Sequence, residues 1–294
     1  MTSGASLVRW LVTGAGGMLG RDLVAALTGA GEQVTAARHT DVDITDPDMV
    51  SDVVAGHHVV INTAGYTDVD AAESDEPTAT RVNGHGVELL ARACAGSGAR
   101  LVQISTDYVF PGTAEHPYPE NAPTAPVNAY GRGKLEGERA VLSLLPTTGY
   151  VVRTAWLYGE HGRSFVSTML RLAREHDTVD VVDDQHGQPT WTVALSRQLR
   201  ELGTGAVAGR APAGVYHGTA SGQTTWYGLA RAVFTAAGHD PDRIRPTTSD
   251  RFPRPARRPA YSVLGHDRWQ LAGVAPQPDW AASLAEALRT WGLP

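Results

Sequence analysis

Residues 13–20 read Thr-Gly-Ala-Gly-Gly-Met-Leu-Gly, and this short stretch decides the fold. Its glycines have a G-x-x-G-x-x-G spacing, with an apolar run before them and a helical pattern after them. A pyrophosphate must approach backbone N–H groups at a helix N-terminus, where any side chain would block it. An ordinary glycine-rich turn is the alternative, but the strand and helix on either side favour a dinucleotide site. The residues expected to contact the cofactor are Gly14, Gly17, Met18, Leu19 and Gly20.

The pattern around this turn alternates strand-type and helical segments. The apolar runs of strand type are Leu7–Thr13, Gln33–Ala37, His58–Asn62, Arg100–Ser105 and Tyr150–Thr154. Helical patterns between them cover Met18–Leu27, Pro47–Val54 and Pro77–Cys94. Continuous apolar strands that alternate with helices predict a parallel sheet covered on both faces. The fold class predicted is therefore α/β, a doubly wound parallel sheet of Rossmann type.

The second half of the chain has a different composition. Pro, Gly and Arg become dense after about residue 155, while helical patterns remain at Ser164–Glu175, Thr225–Ala237 and Ala281–Trp291. A chain of 294 residues is also long for one hydrophobic core. We expect a dinucleotide-binding domain over residues 1–155 and a smaller substrate-binding region over residues 156–294. Some segments of that region are expected to return to the first domain.

Composition excludes several classes of protein. With 25 basic and 31 acidic residues, the formal charge of −6 argues against a nucleic-acid binder. Cys94 is the only cysteine, which excludes an internal disulfide and makes the cytoplasm the expected location. No apolar run approaches the ~18 residues of a membrane span, and no H-E-x-x-H motif indicates a metal site.

The choice of cofactor is read where the second strand ends. An Asp or Glu usually holds the free ribose 2′-hydroxyl there, but this strand ends in Arg38. Arg38 can pair with a 2′-phosphate, which favours NADPH; a solvated surface arginine is the alternative, and NADH stays open. Asp43, with Ile44 next to it, is expected to lie at the adenine.

A second motif carries proton-transfer chemistry. Tyr130 and Lys134 are four residues apart and so lie on one helix face. A nearby ammonium favours the phenolate and is expected to lower the pKa of the tyrosine. The same lysine can bind the nicotinamide ribose, and Tyr130 is also expected to contact the cofactor. Ser105 and Thr106 end a strand, where ligands bind in such sheets, so Ser105 is expected at the cofactor and Thr106 at the substrate oxygen. This Tyr/Lys spacing also occurs by chance on many helices.

These motifs in this order resemble the extended short-chain dehydrogenases/reductases, and further segments narrow the resemblance. The specific ones are Asn-Thr-Ala-Gly-Tyr-Thr-Asp-Val-Asp-Ala-Ala-Glu at 62–73, Ser-Thr-Asp-Tyr-Val-Phe-Pro-Gly at 105–112, Arg-Thr-Ala-Trp-Leu-Tyr-Gly at 153–159, Asp-Gln-His-Gly-Gln-Pro-Thr at 184–190, Gly-Val-Tyr-His at 214–217 and Arg258-Pro259. Together they are spread along the chain from residue 62 to residue 259. They are similar to the corresponding segments of the dTDP-4-dehydrorhamnose reductase family.

The resemblance implies NADPH-dependent reduction of the C4 ketone of a dTDP-linked 4-keto-6-deoxyhexose. Tyr130 would donate the proton, assisted by Thr106 and Lys134. The resemblance also implies a homodimer. Further positions carried over by analogy are Ala64, Gly65 and Tyr66 at the cofactor, Asp107 and Trp156 at the sugar, and Gln188 and Arg258 at the nucleotide diphosphate.

Other readings of the same motifs stay open. A non-catalytic relative that binds a dinucleotide and regulates a partner enzyme would share the fold. A sugar-nucleotide epimerase or dehydratase would share Tyr-x-x-x-Lys, but a 4,6-dehydratase typically carries Thr-Asp-Glu where this chain has Thr106-Asp107-Tyr108. Trp156 also has an alternative role as a packed core aromatic.

Overall fold

The computed structural model describes residues 8–293 of the chain, so Leu7, the predicted start of the first strand, lies outside the described residues. The strands are β1 (Arg9–Thr13), β2 (Gln33–Ala37), β3 (Val59–Asn62), β4 (Arg100–Thr106), β5 (Gly149–Thr154), β6 (Leu157–Tyr158), β7 (Val179–Val182), β8 (His186–Gly187), β9 (Thr190–Trp191), β10 (Gly214–His217), β11 (Thr224–Thr225) and β12 (Ile244–Thr247).

The helices are α1 (Met18–Gly29), α2 (Pro47–Val54), α3 (Ala71–Ser74), α4 (Glu76–Thr80), α5 (Gly86–Ser97), α6 (Ala129–Leu144), α7 (Phe165–Glu175), α8 (Thr192–Val207), α9 (Trp226–Ala236), α10 (Trp269–Ala272) and α11 (Trp280–Thr290). A π-helical segment, Arg81–His85, joins α4 to α5. Single 3₁₀ turns occupy Asp107–Val109, Pro241–Arg243 and Ser249–Arg251. Within residues 8–293, every helix is too short or too polar to traverse a lipid bilayer.

Six strands form the central sheet in the order β10-β5-β4-β3-β1-β2, and every pair in it is parallel. The order reverses between β1 and β3, so a crevice opens at their carboxyl ends. The predicted doubly wound α/β fold is confirmed.

Successive side chains of each strand point to opposite faces of the sheet, and both faces are covered. On β1, Trp10 and Val12 face one hydrophobic cluster and Leu11 faces the other. Helices α1 and α8 cover the first face, through residues such as Leu23 and Leu199, while α2, α5 and α6 cover the second. β1, β3, β4 and β5 lie between these layers with almost every residue buried, which accounts for their near-continuous apolar runs. The edge strand β2 is mostly exposed.

Two segments from the second half of the chain complete this sheet. β10 pairs with β5, and α8 packs beside α1 through Leu195, Leu199 and Leu202, which are fully buried. The remaining elements, mainly α7, α9 and α11 with the pair β7–β12, share a separate cluster around Phe234 and Trp191. The domain division at residue 155 stays a prediction.

The helix predicted over Pro77–Cys94 differs from the observed one. The backbone stays helical from Glu76 to Ser97 but widens to a π segment at Arg81–His85. Such widened turns are rare and frequently occur at functional sites. Here the widened turn carries Asn83, which is 1% exposed and faces the crevice loop after β3.

Candidate active site

The glycine turn between β1 and α1 is shaped by backbone approach. Gly14 has φ +70°, and a Cβ there would lie 2.5 Å from the backbone nitrogen of Ala64. A Cβ on Gly20 would collide with the carbonyl of Gly14. α1 begins at Met18 after Gly17, which offers no side-chain cap, and the amides of Met18 and Leu19 meet no acceptor within residues 8–293. This cradle fits a dinucleotide pyrophosphate.

The side chains predicted for the adenosine end lie around β2. Arg38 is exposed, and its Cγ is 3.8 Å from a Cβ built on Gly16, so the arginine extends over the glycine turn. Asp43 is exposed, and Oδ1 accepts from the backbone N and the hydroxyl of Thr45 at 2.9 and 2.8 Å. These hydrogen bonds lower the pKa of Asp43. Ile44 is buried in the core, so its side chain offers no polar contact.

The loop after β3 is held by a residue that sequence reasoning missed. The amide of Asn83 accepts from the backbone N of Tyr66 and donates to its carbonyl, both at 2.9 Å. A Cβ on Gly65 would lie 2.9 Å from Asn83 Oδ1 and 3.7 Å from Lys134 Nζ. The glycine therefore lets Asn83 and Lys134 approach the Ala64–Tyr66 backbone, and a polar residue inside an otherwise amphipathic helix was the available signal.

Lys134 lies on α6, 7% exposed, and Nζ donates to the carbonyl of Ile104 at 2.6 Å. Burial lowers the pKa of Lys134 to about 8, and the carboxylate of Glu138 opposes that shift. The ammonium is thus directed at the carboxyl end of β4, beside the loop after β3. This is where a sheet of this type binds its ligand.

Tyr130 stands in the first turn of α6. The residue that caps this helix, Asn128, accepts with its side chain from the backbone N of Gly131 at 2.8 Å. The predicted lowering of the pKa of this tyrosine is wrong. Burial and the Asp107 carboxylate raise it to about 12, against an opposing hydrogen bond with Thr106. The desolvated phenolate is the disfavoured form, and the Lys134 ammonium is engaged with a backbone carbonyl instead. The phenol therefore keeps its proton at neutral pH, as a proton donor must.

An unpartnered carboxylate oxygen lies beside this phenol. Asp107 is 2% exposed, and its Oδ1 accepts from the hydroxyl of Thr106 at 3.0 Å, while Oδ2 is buried without a partner among the described residues. Burial raises the pKa of Asp107 to about 6, although the hydroxyls of Ser262 and Thr106 pull it down. A buried, unpaired acceptor is costly, and this oxygen is left free to accept a hydrogen bond from a bound ligand.

Asp107→Asn is expected to make the free protein more stable, increasingly so as the pH rises. The raised pKa means that ionisation of Asp107 disfavours the folded state, a penalty that is absent well below pH 4 and complete above about pH 6. The stability gain of the variant should therefore grow by roughly 2 kcal/mol between pH 4 and pH 8, measured by urea unfolding. Asp52→Asn, an exposed carboxylate, is the control. An advantage of the Asp107 variant that does not change with pH would contradict the assignment.

Two residues that were predicted to contact ligands form hydrogen bonds with other protein groups instead. The hydroxyl of Ser105, expected at the cofactor, is buried and donates to Glu138 at 2.5 Å. The amide of Gln188, expected at the nucleotide, is 2% exposed and uses both atoms internally. Its Nε2 donates to the carbonyls of Gly222 and Leu264, and its Oε1 accepts from Thr219 and Leu264. The hydroxyl proton of Ser105 and both polar atoms of the Gln188 amide are therefore used within the protein.

Trp156 has a strained backbone, with φ +46°, which non-glycine residues rarely adopt. Its ring stacks on Trp226 at 3.5 Å between centroids, and only a glycine at position 187 leaves room for it on the other side. The indole is half-buried, so it both packs and retains an open edge. Strain of this kind clusters at ligand sites.

A cavity of about 450 Å³ lies between Tyr108, just after β4, and the hydrophobic cluster around Phe234 and Trp191. Arg258 lines it and is held by Asp70 through two hydrogen bonds of 2.9 and 3.0 Å. The apolar side chains around it include Phe165, Trp226 and Phe252. Arg254 stands at the same wall, so the cavity combines aromatic surfaces with positive charge.

The parallel sheet, the glycine cradle and the Tyr-x-x-x-Lys helix beside a strand-end threonine define a short-chain dehydrogenase/reductase. The family model described as the RmlD substrate binding domain matches residues 8–292. The chain belongs to the dTDP-4-dehydrorhamnose reductase family.

Curated relatives and a solved structure are similar over nearly the whole chain. A dTDP-4-dehydrorhamnose reductase of Streptomyces griseus is 55% identical, covering 95% of this chain and 92% of its own. A dTDP-4-keto-6-deoxy-D-glucose reductase of Streptomyces niveus is 52% identical, covering 95% and 96%. The crystal structure of a dTDP-4-dehydrorhamnose reductase from Bacillus anthracis, in complex with NADP, superimposes with a TM-score of 0.90 at 33% identity, covering 97% and 99%.

Proposed function

We propose that this protein reduces the C4 ketone of a dTDP-linked 4-keto-6-deoxyhexose to a hydroxyl group, using NADPH. The observation that carries the proposal is the placement of Tyr130, in the first turn of α6, near Thr106 and the unpartnered oxygen of Asp107, at the sheet edge that also holds the glycine cradle. The names of the curated relatives support the substrate class, and the neighbour solved with NADP supports the cofactor.

The chain's own residues have separate roles in this reaction. The glycine turn binds the pyrophosphate, the Ala64–Tyr66 backbone lies along the cofactor, and Lys134 binds the nicotinamide ribose. NADPH supplies the hydride when bound. Thr106 positions the carbonyl oxygen by a hydrogen bond, and Tyr130 donates its proton to that oxygen as negative charge develops there.

The substrate is proposed to lie across the second half of the crevice. Asp107 Oδ2 would accept a sugar hydroxyl, and the open edge of Trp156 would cover the sugar ring. The cavity beyond suits the nucleotide, because Phe165 and Trp226 offer faces to a base and Arg258 offers charge to a diphosphate. Asp70 already fixes the guanidinium of Arg258, so this charge is held in place before the substrate arrives.

Elimination is less well supported than reduction. A dehydratase needs a second acid where this chain has Tyr108, and that ring stands edge-on to Tyr130 at 6.0 Å between centroids. We also propose, by analogy with the family, that the protein is cytoplasmic and forms a homodimer. Light scattering of the purified protein tests the dimer.

The proposal is tested by a panel of dTDP-4-keto-6-deoxy sugars with NADPH. Stoichiometric oxidation of NADPH at 340 nm, with the C4 configuration of the product read by NMR, is the expected result. Turnover of a sugar nucleotide without net loss of NADPH would favour an epimerase or dehydratase. A wild type that binds NADPH but reduces none of the panel would favour a regulatory role.

Arg38→Ala is expected to reduce the preference for NADPH over NADH by roughly 10- to 100-fold in kcat/KM. This change corresponds to losing the hydrogen bonds between the Arg38 guanidinium and a 2′-phosphate, because hydrogen bonds to a charged group contribute about 1.5–3 kcal/mol to binding. Kinetics with both cofactors measure the ratio. Arg92→Ala removes another exposed arginine, on α5, and should leave the ratio unchanged. An unaltered ratio in Arg38→Ala would mean that Arg38 is a solvated surface residue that does not contact the cofactor.

A further inference from the structure

Glu138 lies on the same face of α6 as the two motif residues, one helical turn beyond Lys134 and two beyond Tyr130. It is 1% exposed, although carboxylates are almost never buried so deeply without a partner. Neither the glycine turn nor the Tyr-x-x-x-Lys motif includes it. A buried charge on the reactive face of the helix needs a structural or functional account.

The carboxylate of Glu138 is fully engaged. Oε1 accepts from the hydroxyl of Ser105 at 2.5 Å and from Arg153 Nε at 2.9 Å, and Oε2 accepts from Arg153 Nη2 at 2.7 Å. Arg153 is 4% exposed, so this is a buried two-point ion pair. Replacing such pairs by apolar residues often leaves stability unchanged, which makes stability alone a weak reason to keep one.

The sheet register fixes the partners of Glu138. Ser105 on β4 is directly opposite Arg153 on β5, which is in turn opposite His217 on β10. The guanidinium of Arg153 stacks over the ring of Phe110 at 4.9 Å, and its Nη1 is 3.5 Å from His217 Nε2. The polar row across three strands therefore holds the carboxylate of Glu138 in one position beneath α6.

Lys134 is the group that this carboxylate influences. Its ammonium is buried, and Glu138 is the charge that opposes the lowering of its pKa. Other titratable side chains near α6 are Tyr130, Tyr108, Asp107 and Arg153, and Glu73, which accepts from the backbone N of Ala129 at 2.8 Å. The loop after β3 adds Tyr66, which packs with Tyr130 against the same small group of alanines. The π segment faces that loop with the uncharged Asn83, while its charged residues, Arg81 and His85, are exposed.

We propose that Glu138 is a positioning residue that keeps Lys134 protonated and directed at the cofactor ribose, with Arg153 and Ser105 holding Glu138 in place. The inference rests on the proposed function only in the binding of NADPH by Lys134. It therefore has a readout that does not need the sugar substrate, namely the dissociation constant of NADPH as a function of pH.

The test follows NADPH fluorescence on binding between pH 6 and 9.5 in wild type, Glu138→Gln and Glu138→Asp. Binding should weaken at high pH as Lys134 loses its proton. We call this loss of binding at high pH the basic limb of the profile. In Glu138→Gln the midpoint of the basic limb should move down by about one pH unit, because a nearby opposite charge shifts a pKa by about that much or more. NADPH then binds roughly tenfold more weakly than to wild type at pH 9, with little change at pH 6. Glu138→Asp keeps the charge and should keep the limb near its wild-type position.

Further variants guard against misfolding of Glu138→Gln, which leaves Arg153 buried without its partner. Glu138→Gln combined with Arg153→Gln removes both charges, so its limb should lie above that of Glu138→Gln and below that of Arg153→Gln. Arg153→Gln alone removes a positive charge and should move the limb upward. A purely structural role would weaken binding equally at all pH values in every variant, and that result would overturn the inference.

The outcomes also separate this inference from the proposed function. Wild-type binding of NADPH that is constant from pH 6 to 9.5 would overturn the role of Glu138, even if the ketone is reduced. Failure of the wild type to reduce any 4-keto sugar, with the opposite shifts of the limb intact, would overturn the reaction and leave the positioning role standing.

Discussion

Tyr130→Phe is expected to lower kcat/KM for the 4-keto sugar by about 1,000-fold, within the ~10²–10⁴ range for loss of a positioned general acid. The ring, its burial and its edge contact with Tyr108 all remain, and only the hydroxyl beside Thr106 is lost. With that hydroxyl gone, solvent has to supply the proton to the developing alkoxide. NADPH affinity, measured by fluorescence, should change far less than kcat/KM, because the glycine turn and Lys134 still bind the cofactor.

The matched control for this variant is Tyr108→Phe. The ring of Tyr108 contacts the ring of Tyr130, and burial raises the pKa of Tyr108 as well. Tyr108 differs from Tyr130 mainly in lying outside the Tyr-x-x-x-Lys motif. Loss of its hydroxyl should lower kcat/KM far less than loss of the Tyr130 hydroxyl. Equal losses in the two variants, or a Tyr130→Phe enzyme with nearly full activity, would remove Tyr130 from the role of proton donor.

Gly14→Ala is expected to cost about 3 kcal/mol of unfolding free energy or more and to weaken NADPH binding at least tenfold. Two penalties combine, since a left-handed φ costs an alanine about 1–2 kcal/mol and forced overpacking adds about 1–3 kcal/mol. The new Cβ would lie 2.5 Å from the nitrogen of Ala64, a backbone atom that cannot rotate away. Relief requires the turn to shift away from the loop after β3, which distorts the cradle for the pyrophosphate.

Gly31→Ala separates these two penalties. Gly31 follows α1 with φ +77°, close to that of Gly14, but a Cβ there meets no atom within 4 Å. It should show only the conformational penalty of about 1–2 kcal/mol and normal NADPH binding. Urea unfolding and cofactor titration of both variants give the comparison. Equal destabilisation would mean that the close approach to Ala64 is unimportant.

Local signals made the first half of the fold predictable from sequence. β2 and α2 have the predicted bounds, Gln33–Ala37 and Pro47–Val54. The helix begins where it does because Asp46 accepts from the backbone N atoms of Asp48 and Met49, and a proline at the first helical position suits that geometry. Cap, proline and apolar spacing all lie within a few residues of each other, so no tertiary information is needed.

Elements whose identity depends on distant partners were not predictable. α8 covers the sheet beside α1, and β10 forms its edge on β5, yet neither has a motif that announces these neighbours. Asn83 was missed for the same reason, because its partner Tyr66 is 17 residues away across a loop. Ser105 was predicted at a strand end, correctly for β4, but only the position of α6 directs its hydroxyl to Glu138.

By itself, the sequence determined the doubly wound sheet, the glycine turn and the helix face that presents Tyr130 and Lys134, because each depends on residues close together in the chain. The tertiary structure decided the charge states around that face. Burial raises the pKa of Tyr130, and the Lys134 ammonium is directed to Ile104 with Glu138 beyond it. The physical reason is that desolvation and ion pairing depend on every group that surrounds a side chain, and in this site those groups come from strands and helices far apart in sequence.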